Sequence, residues 1–271
     1  MEQWTDQGIV LSARPHGEGG AIVALLTENN GRHAGYVHGG ASSQKRAYLQ
    51  AGSQVKANWS ARVSDSLGSY SIEPEKGLSV DILDSSLKLA ALLSACGLCD
   101  AALPEREGHS GLYHGFIALL DALGDESWED HWGAAYVMWE ISLLRELGFH
   151  LTLDQCAGGG DADTLCYVSP KTGRAVSKAQ GEIYKEKLLK LPLFLRPSPD
   201  FADAQSPSPL REREGPRDSG EGEGVKGDNQ DILAGLKLTG YFFEHWVFTH
   251  HTKGVPEARL MFEERYGKSS S

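Results

Sequence analysis

The sequence predicts an α+β fold in which a five-stranded β-barrel precedes an all-helical body. Three observations support this: five short β-rich runs lie within residues 1–75, turn-forming residues separate them, and Ala- and Leu-rich helical stretches follow. Five strands in so short a span are typical of a small Greek-key barrel, the OB-fold among them. We therefore expect a barrel domain at 1–78 and a helical domain at 79–271.

The predicted strands are 8–14, 21–27, 32–38, 54–63 and 67–73. Gly-, Pro- and Asn-rich turns separate the first three, and the longer connection at 39–50 has room for one helical turn near 45–49. The fourth run alternates with period two, as a half-buried strand does. Its apolar face carries Val55, Ala57, Trp59, Ala61 and Val63, and its polar face carries Lys56, Asn58, Ser60 and Arg62.

The helical body is predicted from apolar residues spaced three or four positions apart. The helical stretches are 80–103, 111–123, 128–147, 231–249 and 256–266. One of them should bury a single stripe formed by Trp132, Tyr136, Trp139, Leu143 and Leu147. Segment 151–180 breaks the periodicity with glycines and turn residues, which indicates a small β-containing excursion. Segment 197–228 is poor in apolar residues and rich in Pro, Gly, Ser and charge, so we predict a disordered insertion.

Composition excludes several functional classes. No run of about 18 apolar residues is present, so no membrane span is expected, and the four cysteines are too few for a disulfide scaffold, which favours a cytoplasmic location. Cys96 and Cys99 form a CxxC inside an Ala/Leu-rich helix, where buried apolar thiols are expected. The phosphate-loop, nucleophile-elbow and HExxH motifs are absent. The sequence therefore predicts no enzymatic activity.

Charge is distributed unevenly along the chain. The net charge of −11 taken alone argues against nucleic acid binding. Residues 1–80, however, hold seven basic and seven acidic residues, and residues 29–64 contain no Asp or Glu at all. The acidic excess therefore belongs to the C-terminal two thirds, and a basic face on an otherwise acidic protein indicates a nucleic-acid partner.

A nucleic-acid site on the barrel would need cations for phosphates and aromatic rings for bases. The candidate binding residues are Arg14, Arg32, Lys45, Arg46, Lys56, Arg62 and Tyr48. Tyr36 and Tyr70 are further candidate stacking platforms, and His33 and His38 add to the basic stretch. Trp59 is expected in the core, because it alternates with Val55 and Val63. The alternative interpretation is an ordinary solvated surface of Lys and Arg.

An ordered set of short motifs carries a family resemblance. The motifs are WTDQGIVL at 4–11, GE at 17–18, AIV at 21–23, LLT at 25–27, GRHAG at 31–35, LPERE at 103–107, WE at 139–140, LL at 143–144, ELGF at 146–149, YVSPK at 167–171, GRAV at 173–176 and LTGY at 238–241. In this order they resemble the bacterial RecO family. The resemblance covers nearly the whole chain apart from 197–228.

The resemblance implies a specific function and architecture. Members of the family have an N-terminal OB-fold, a helical domain and a small zinc-finger-like lobe, expected here at 150–180. They bind single- and double-stranded DNA, anneal complementary strands and contact the C-terminal tail of single-strand-binding protein. With RecR they help to load RecA onto coated DNA. These implications come from the resemblance alone, and they place the protein near the nucleoid, without a membrane partner.

The lobe is expected to lack metal ligands. Zinc-bearing members of the family place one CxxC pair at this point and a second about 20 residues later. This sequence keeps Cys156, but Gly159, Ser177 and Gln180 stand at the other three positions, and Cys166 lies off the pattern. One thiolate cannot hold structural zinc. We therefore expect a lobe held by packing and hydrogen bonds, and no cofactor.

A second surface on the helical body could accept the acidic, aromatic-ended tail of single-strand-binding protein. Candidate rim residues are Lys88, Arg106, Arg145 and Arg259. His109, His114, His245, His250 and His251 are expected at the surface without a metal or acid–base role. Three rival interpretations stay open: an OB-fold module for RNA or a ribosomal component, a protein-bridging subunit that does not touch DNA, and a helical enzyme with a barrel appendage.

Overall fold

The computed structural model describes residues 2–63, 66–160, 164–197 and 228–269. Nearly all of the segment at 197–228 falls outside these ranges, so its expected disorder stays a prediction. The barrel ends at Lys76 and the first helix of the body begins at Val80. The predicted boundary after residue 78 therefore lies in the segment that connects them.

Five strands close into the predicted barrel. They are β1 (Glu2–His16), β2 (Gly20–Thr27), β3 (Gly31–Val37), β4 (Gln54–Ala61) and β5 (Ser69–Lys76), and they follow the order β1-β2-β3-β5-β4 around the barrel. A short helix, α1 (Ser43–Tyr48), lies between β3 and β4, where one helical turn was predicted. The α+β prediction with an N-terminal five-stranded barrel is confirmed.

Strand β1 closes the barrel because it pairs with two neighbours. Its first half pairs with β4 and its second half with β2, and Gly8 has a partner in each strand. An irregularity of register between Val10 and Ser12 bends the strand between the two halves. The sequence predicted only 8–14, because the polar residues of the first half give no apolar run.

The barrel interior follows the alternation predicted for β4. Val55, Ala57, Trp59 and Ala61 are buried inside the barrel. Val63 was wrongly assigned to this face: β4 ends at Ala61, and the side chain of Val63 is 63% exposed. The core position predicted for Trp59 is confirmed, since only 2% of its surface is exposed.

The helical body follows the barrel directly. Its helices are α2 (Val80–Asp84), α3 (Ser86–Ala102), α4 (Ser110–Gly124), α5 (Trp132–Glu146), α7 (Asn229–Phe242) and α8 (Glu257–Ser269). A 3₁₀ turn at Glu126–Trp128 precedes α5, and a π-helical turn at Phe243–Val247 extends α7. The stripe predicted on α5 is buried, except that Leu147, just beyond the helix end, is half-buried.

The lobe predicted within 150–180 is a three-stranded sheet. Its strands β6 (Leu165–Val168), β7 (Ala175–Ser177) and β8 (Leu189–Lys190) lie in the order β7-β6-β8. Helix α6 (Lys178–Gly181) and 3₁₀ turns at Glu182–Lys187 and Leu193–Leu195 complete it. The lobe therefore extends beyond the predicted end at residue 180, to Lys190 in the sheet and to Leu195 in its last turn, because β8 returns to pair with β6.

One continuous apolar core joins the three parts. The outer face of the barrel contributes Ile9, Leu11, Ala24 and Leu26, and the lobe contributes Leu165, Val168, Ala175 and Leu191. Cys96 and Cys99 are buried in α3 as predicted, and burial raises the pKa of Cys96 to about 12. In the described ranges no helix is long and apolar enough to cross a membrane.

Candidate nucleic-acid interface

A cluster of three rings lies on the outer face of the barrel, beside the turn between β1 and β2. Tyr36 of β3 contacts His16 of β1 edge to face, with ring centroids 6.2 Å apart, and His38 in the same manner at 4.7 Å. Both histidines are exposed and Tyr36 is half-buried. Aromatic rings at a protein surface are the kind of group that stacks on bases in proteins that bind single strands.

Gly20 makes room for the Tyr36 ring. Its Cα faces outward at the start of β2, and a Cβ built there would lie 1.9 Å from the Tyr36 hydroxyl oxygen and 2.3 Å from its Cζ. The ring therefore lies across the backbone of Gly20 and cannot keep this position beside a larger residue. The absence of one side chain on β2 thus fixes the aromatic ring on β3.

A loop then brings cations to the same place. The Ala41 amide donates to the Gly19 carbonyl at 3.1 Å, which ties the connection after β3 to the β1–β2 turn. The Lys45 ammonium donates to the His38 carbonyl oxygen at 2.7 Å, and the exposed Arg46 follows on the same turn of α1. The Arg46 guanidinium donates to the Ala41 carbonyl oxygen at 3.3 Å, so both cations of α1 are held to the connection that carries His38.

Arg14 completes the group from β1. In the strand register Arg14 is opposite Ile22, and Ile22 is opposite Tyr36, so the three side chains form a row across the outer face. The Arg14 guanidinium is 3.1 Å from Asp100 of α3, yet its side chain is 73% exposed. Such exposed ion pairs are weak, so the pair with Asp100 does little to hold the Arg14 side chain. We call Arg14, His16, Tyr36, His38, Lys45 and Arg46 the barrel rim.

Four of the seven predicted binding residues do not join the barrel rim: Lys56, Arg62, Tyr48 and Arg32. Lys56 is exposed on the outer face of β4, between Gln7 on β1 and Glu73 on β5. Arg62 is exposed just after β4 ends. Tyr48 is half-buried and packs against the barrel core.

Arg32, which was predicted to contact DNA, is held between the barrel and the helical body. Its Nε donates to the Leu103 carbonyl at 2.8 Å, and its guanidinium also reaches Asp100 at 3.4 Å and Glu105 at 3.3 Å. Only 17% of the side chain is exposed. Arg32 therefore joins the barrel to the helical body, and its partners lie about 70 residues away in sequence, beyond the reach of local patterns.

A second group of aromatic rings, around His33 near the start of β3, belongs to the barrel interior. His33, Trp59, Tyr70 and Trp4 pack together, and the Tyr70 hydroxyl lies 3.1 Å from His33 Nδ1. Burial, and the nearby Arg106 cation, lower the pKa of His33 to about 4. His33 is therefore neutral near pH 7 and adds no cation. Tyr70, which is 4% exposed, is not a stacking platform.

Most of the residues predicted to surround an acidic-peptide site contact other parts of the protein instead. Arg259 is fully buried and pairs with the buried Glu140, and the Lys88 side chain is 5% exposed and pairs with Glu129 at 2.6 Å. Arg106 donates to the Ser66 carbonyl at 2.8 Å and lies over the Trp59 ring, so it joins the body to the barrel. Burial therefore removes Lys88 and Arg259 from such a rim, whereas Arg106 and Arg145 are exposed and stay predictions.

His109 was wrongly placed at the surface. It is 8% exposed, and its Nδ1 lies 3.1 Å from Glu146. The other four histidines, His114, His245, His250 and His251, are exposed as expected.

The residues of the lobe do not fit a structural zinc ion. Cys156 lies beside the Ser177 amide, which donates to its sulfur at 3.3 Å, and Gln180 lies 3.4 Å from the same sulfur. Burial acts to raise the pKa of Cys156, but the amides of Gly158, Ser177 and Gly160 outweigh it and lower the pKa to about 7. Among the described residues no group of three His, Cys, Asp or Glu side chains is placed to hold a metal. The expected absence of zinc stays a prediction.

Sequence patterns missed two members of the barrel rim as binding residues. His16 was read as part of a loop, and His38 only as one more basic residue. The alternation of β3 contains the useful signal, because Arg32, Ala34 and Tyr36 share its outer face and Gly20 is the small residue on β2 that the ring requires.

Comparisons with family models and with individual known proteins agree on one family. A family model described as recombination protein O N terminal matches residues 1–76, and one described as recombination protein O C terminal matches residues 84–214. A protein of Rhodospirillum centenum named DNA repair protein RecO is 45% identical over 269 residues, with 98% of this chain and 96% of the relative covered. A protein of Rhodospirillum rubrum with the same name is 43% identical, with 100% and 99% covered. One of Caulobacter sp. strain K31, again so named, is 40% identical, with 98% of each chain covered.

Proposed function

This chain belongs to the RecO family and has a role in DNA repair, and on that premise we propose that it is a recombination mediator without enzymatic turnover. In this proposal the barrel rim binds single-stranded DNA. The protein also binds duplex DNA, anneals complementary strands, and acts with RecR and single-strand-binding protein to promote RecA loading.

One observation carries the proposal: an aromatic ring and three cations converge on one exposed face of an OB-type barrel. Strands 2 and 3 of such barrels, with the loops beside them, are the usual binding face for oligonucleotides. Tyr36 offers a base-stacking surface, and Arg14, Lys45 and Arg46 offer charge for phosphates. The larger acidic part of the chain would repel DNA and so favour the barrel.

Annealing needs no catalytic residue in this proposal. Two complementary strands repel each other through their phosphates, and a protein that neutralises both lowers the repulsion and raises their local concentration. Neither effect consumes ATP. The proposed location is the cytoplasm, in association with the nucleoid.

For single-strand-binding protein, Arg145 is an exposed candidate on the last turn of α5 that forms no ion pair with the described residues, whereas the exposed Arg106 is already bonded to the Ser66 carbonyl. We propose that it contacts the acidic tail. Replacing Arg145 with Glu should weaken binding of a tail peptide and leave affinity for bare DNA unchanged. Unchanged affinity for the peptide would contradict the assignment.

A strand-annealing assay tests the function directly. Complementary labelled oligonucleotides should pair faster with the protein than without it, both bare and coated with single-strand-binding protein. Affinity for single-stranded DNA should exceed affinity for RNA of the same sequence at the same salt. Preference for RNA would favour the rival RNA-binding module.

The protein-bridging rival makes a different prediction. If the chain only connects RecR to single-strand-binding protein, then reversing Lys45, Arg46 and Arg62 to Glu leaves DNA affinity and its salt dependence unchanged. Loss of both supports direct binding by the barrel.

A further inference from the structure

The lobe is a second basic surface within the acidic two thirds of the chain. Between residues 164 and 197 the sequence has seven Lys and Arg but only two acidic residues, Glu182 and Glu186. The basic residues are Lys171, Arg174, Lys178, Lys185, Lys187, Lys190 and Arg196. We call residues 164–197 the basic lobe. Its charge is hidden in the average over the acidic body.

Most of these cations are available to a partner. Lys171, Arg174, Lys178 and Lys187 are exposed and form no ion pair with the residues that the structure describes. Lys185 pairs with Glu182 at 3.1 Å, but both side chains are about half exposed, so the pair is weak. Lys190 is different, since it pairs at 2.9 Å with the nearly buried Asp231 and has a structural role.

Packing fixes the segment after α6 against the sheet of the lobe. The Tyr167 ring lies against Gly181, where a Cβ would be 2.4 Å from the ring, and its hydroxyl donates to Glu182 at 3.3 Å. These contacts hold the segment after α6 onto β6. Lys178 and Arg196 both lie close enough to Cys166 to oppose the effect of burial, which raises the pKa of that thiol.

Exposed apolar groups accompany the charge. Ile183 is 83% exposed and Tyr184 is 59% exposed, and both lie between Lys178 and Lys187 on the same segment. An exposed tyrosine among cations is the arrangement that binds single-stranded nucleic acid by stacking and by phosphate contacts.

The basic lobe and the barrel rim lie on different parts of the molecule. Strands β1 and β2 pack on α3 and α4, whereas β8 of the lobe packs on α7. A single strand held at one surface leaves the other free. This is the arrangement that a protein needs to hold two strands at once.

We propose that the basic lobe is a second nucleic-acid-binding surface, which contacts the phosphates of a second strand while the barrel rim holds the first. The proposal rests on the proposed function. Nucleic acid fits better than an acidic peptide, because the free cations extend from the β6–β7 turn, with Lys171 and Arg174, to the segment at 178–187. Evenly spaced phosphates match such a spread of charge.

The test uses the full chain and two non-complementary oligonucleotides, one with a donor dye and one with an acceptor. The lobe variant is Lys171→Glu, Lys178→Glu and Lys187→Glu, three exposed side chains without described ion pairs. The matched control, Lys237→Glu, Lys253→Glu and Lys268→Glu, makes the same change of net charge elsewhere. Circular dichroism checks that both variants are folded.

Wild-type and control proteins should bring the two dyes together. The lobe variant should keep its affinity for the first strand within about twofold and lose capture of the second by about tenfold or more. The salt dependence of second-strand binding should fall by about 2 in slope, at about 0.7 per lost phosphate contact.

Two results would overturn the inference alone. One is a lobe variant that captures the second strand as well as wild type. The other is a control variant that loses second-strand capture as strongly as the lobe variant, which would make the loss an effect of net charge and not of the lobe. If wild-type protein binds no first strand, the proposed function fails as well.

Discussion

Gly20 holds the Tyr36 ring between His16 and His38, so a methyl group at Gly20 should displace the ring without removing any cation. The new Cβ would lie 1.9 Å from the hydroxyl oxygen, 2.3 Å from Cζ and 2.5 Å from Cε2. Carbon atoms in contact are normally 3.5–4.0 Å apart, so the ring must retreat by about 1.5 Å. Gly20 does not adopt a positive φ, so alanine brings no backbone strain.

The expected loss follows from the value of one stacked base. Alanine substitution of a stacking residue costs about 1–3 kcal/mol per base, or about 5- to 150-fold in affinity. Gly20→Ala should approach the effect of Tyr36→Ala, whereas Tyr36→Phe should retain most of the affinity because the ring remains. Because the cations stay, the salt dependence of binding should not change in the Gly20→Ala variant.

Fluorescence anisotropy of a labelled oligothymidylate, measured over a range of salt, gives both quantities. Thermal unfolding shows whether Gly20→Ala leaves the barrel intact. If Gly20→Ala and Tyr36→Ala both bind DNA with wild-type affinity, Tyr36 does not stack on bases and this part of the account is wrong.

Three further outcomes follow from buried groups. Burial acts to raise the pKa of Asp6, but hydrogen bonds from Asn29 and Asn30 outweigh it and the pKa is lowered. The stabilisation by Asp6 is therefore fully present well above pH 3.8 and is lost as the pH falls below that value. Asp6→Asn should cost about 3 kcal/mol in denaturant unfolding at pH 7, and progressively less as the pH is lowered. Arg259→Met should cost about 3–5 kcal/mol because it leaves Glu140 buried and unpaired, and Glu140→Leu in the same chain should recover most of that loss; no recovery would contradict the pairing. Cys156→Ser should not change zinc content or the effect of a chelator on thermal unfolding, and stoichiometric zinc in the purified wild-type protein would refute the metal-free lobe.

The barrel could be predicted from sequence because its strands alternate and its turns carry glycine and asparagine. The length of β1 could not, because Glu2–Gln7 are mostly polar and become a strand only by pairing with β4. The end of β4 could not be predicted either, as Val63 shows. It continues an apolar alternation, but nothing local indicates that β4 ends two residues earlier.

Whether a Lys or Arg side chain is exposed or paired was harder to predict than where the strands lie. Arg32, Lys88 and Arg259 look like surface residues in the sequence, yet each is held by a carboxylate that is distant in the chain: Asp100, Glu129 and Glu140. Pairing of this kind depends on the tertiary fold. The basic lobe is hard to see in the sequence for a different reason: its excess of Lys and Arg is averaged out in a net charge taken over many acidic residues.

The central claim is that single-stranded DNA binds at the barrel rim, and the salt dependence of affinity tests it most directly. Each phosphate contact to a single strand contributes about 0.7 to the slope of log affinity against log salt. Replacing Lys45 and Arg46 with Gln should therefore reduce the slope by about 1.4, whereas the control Lys56→Gln should leave it unchanged. A slope that stays at the wild-type value in the double variant, or falls as much in the Lys56 control, would contradict the account.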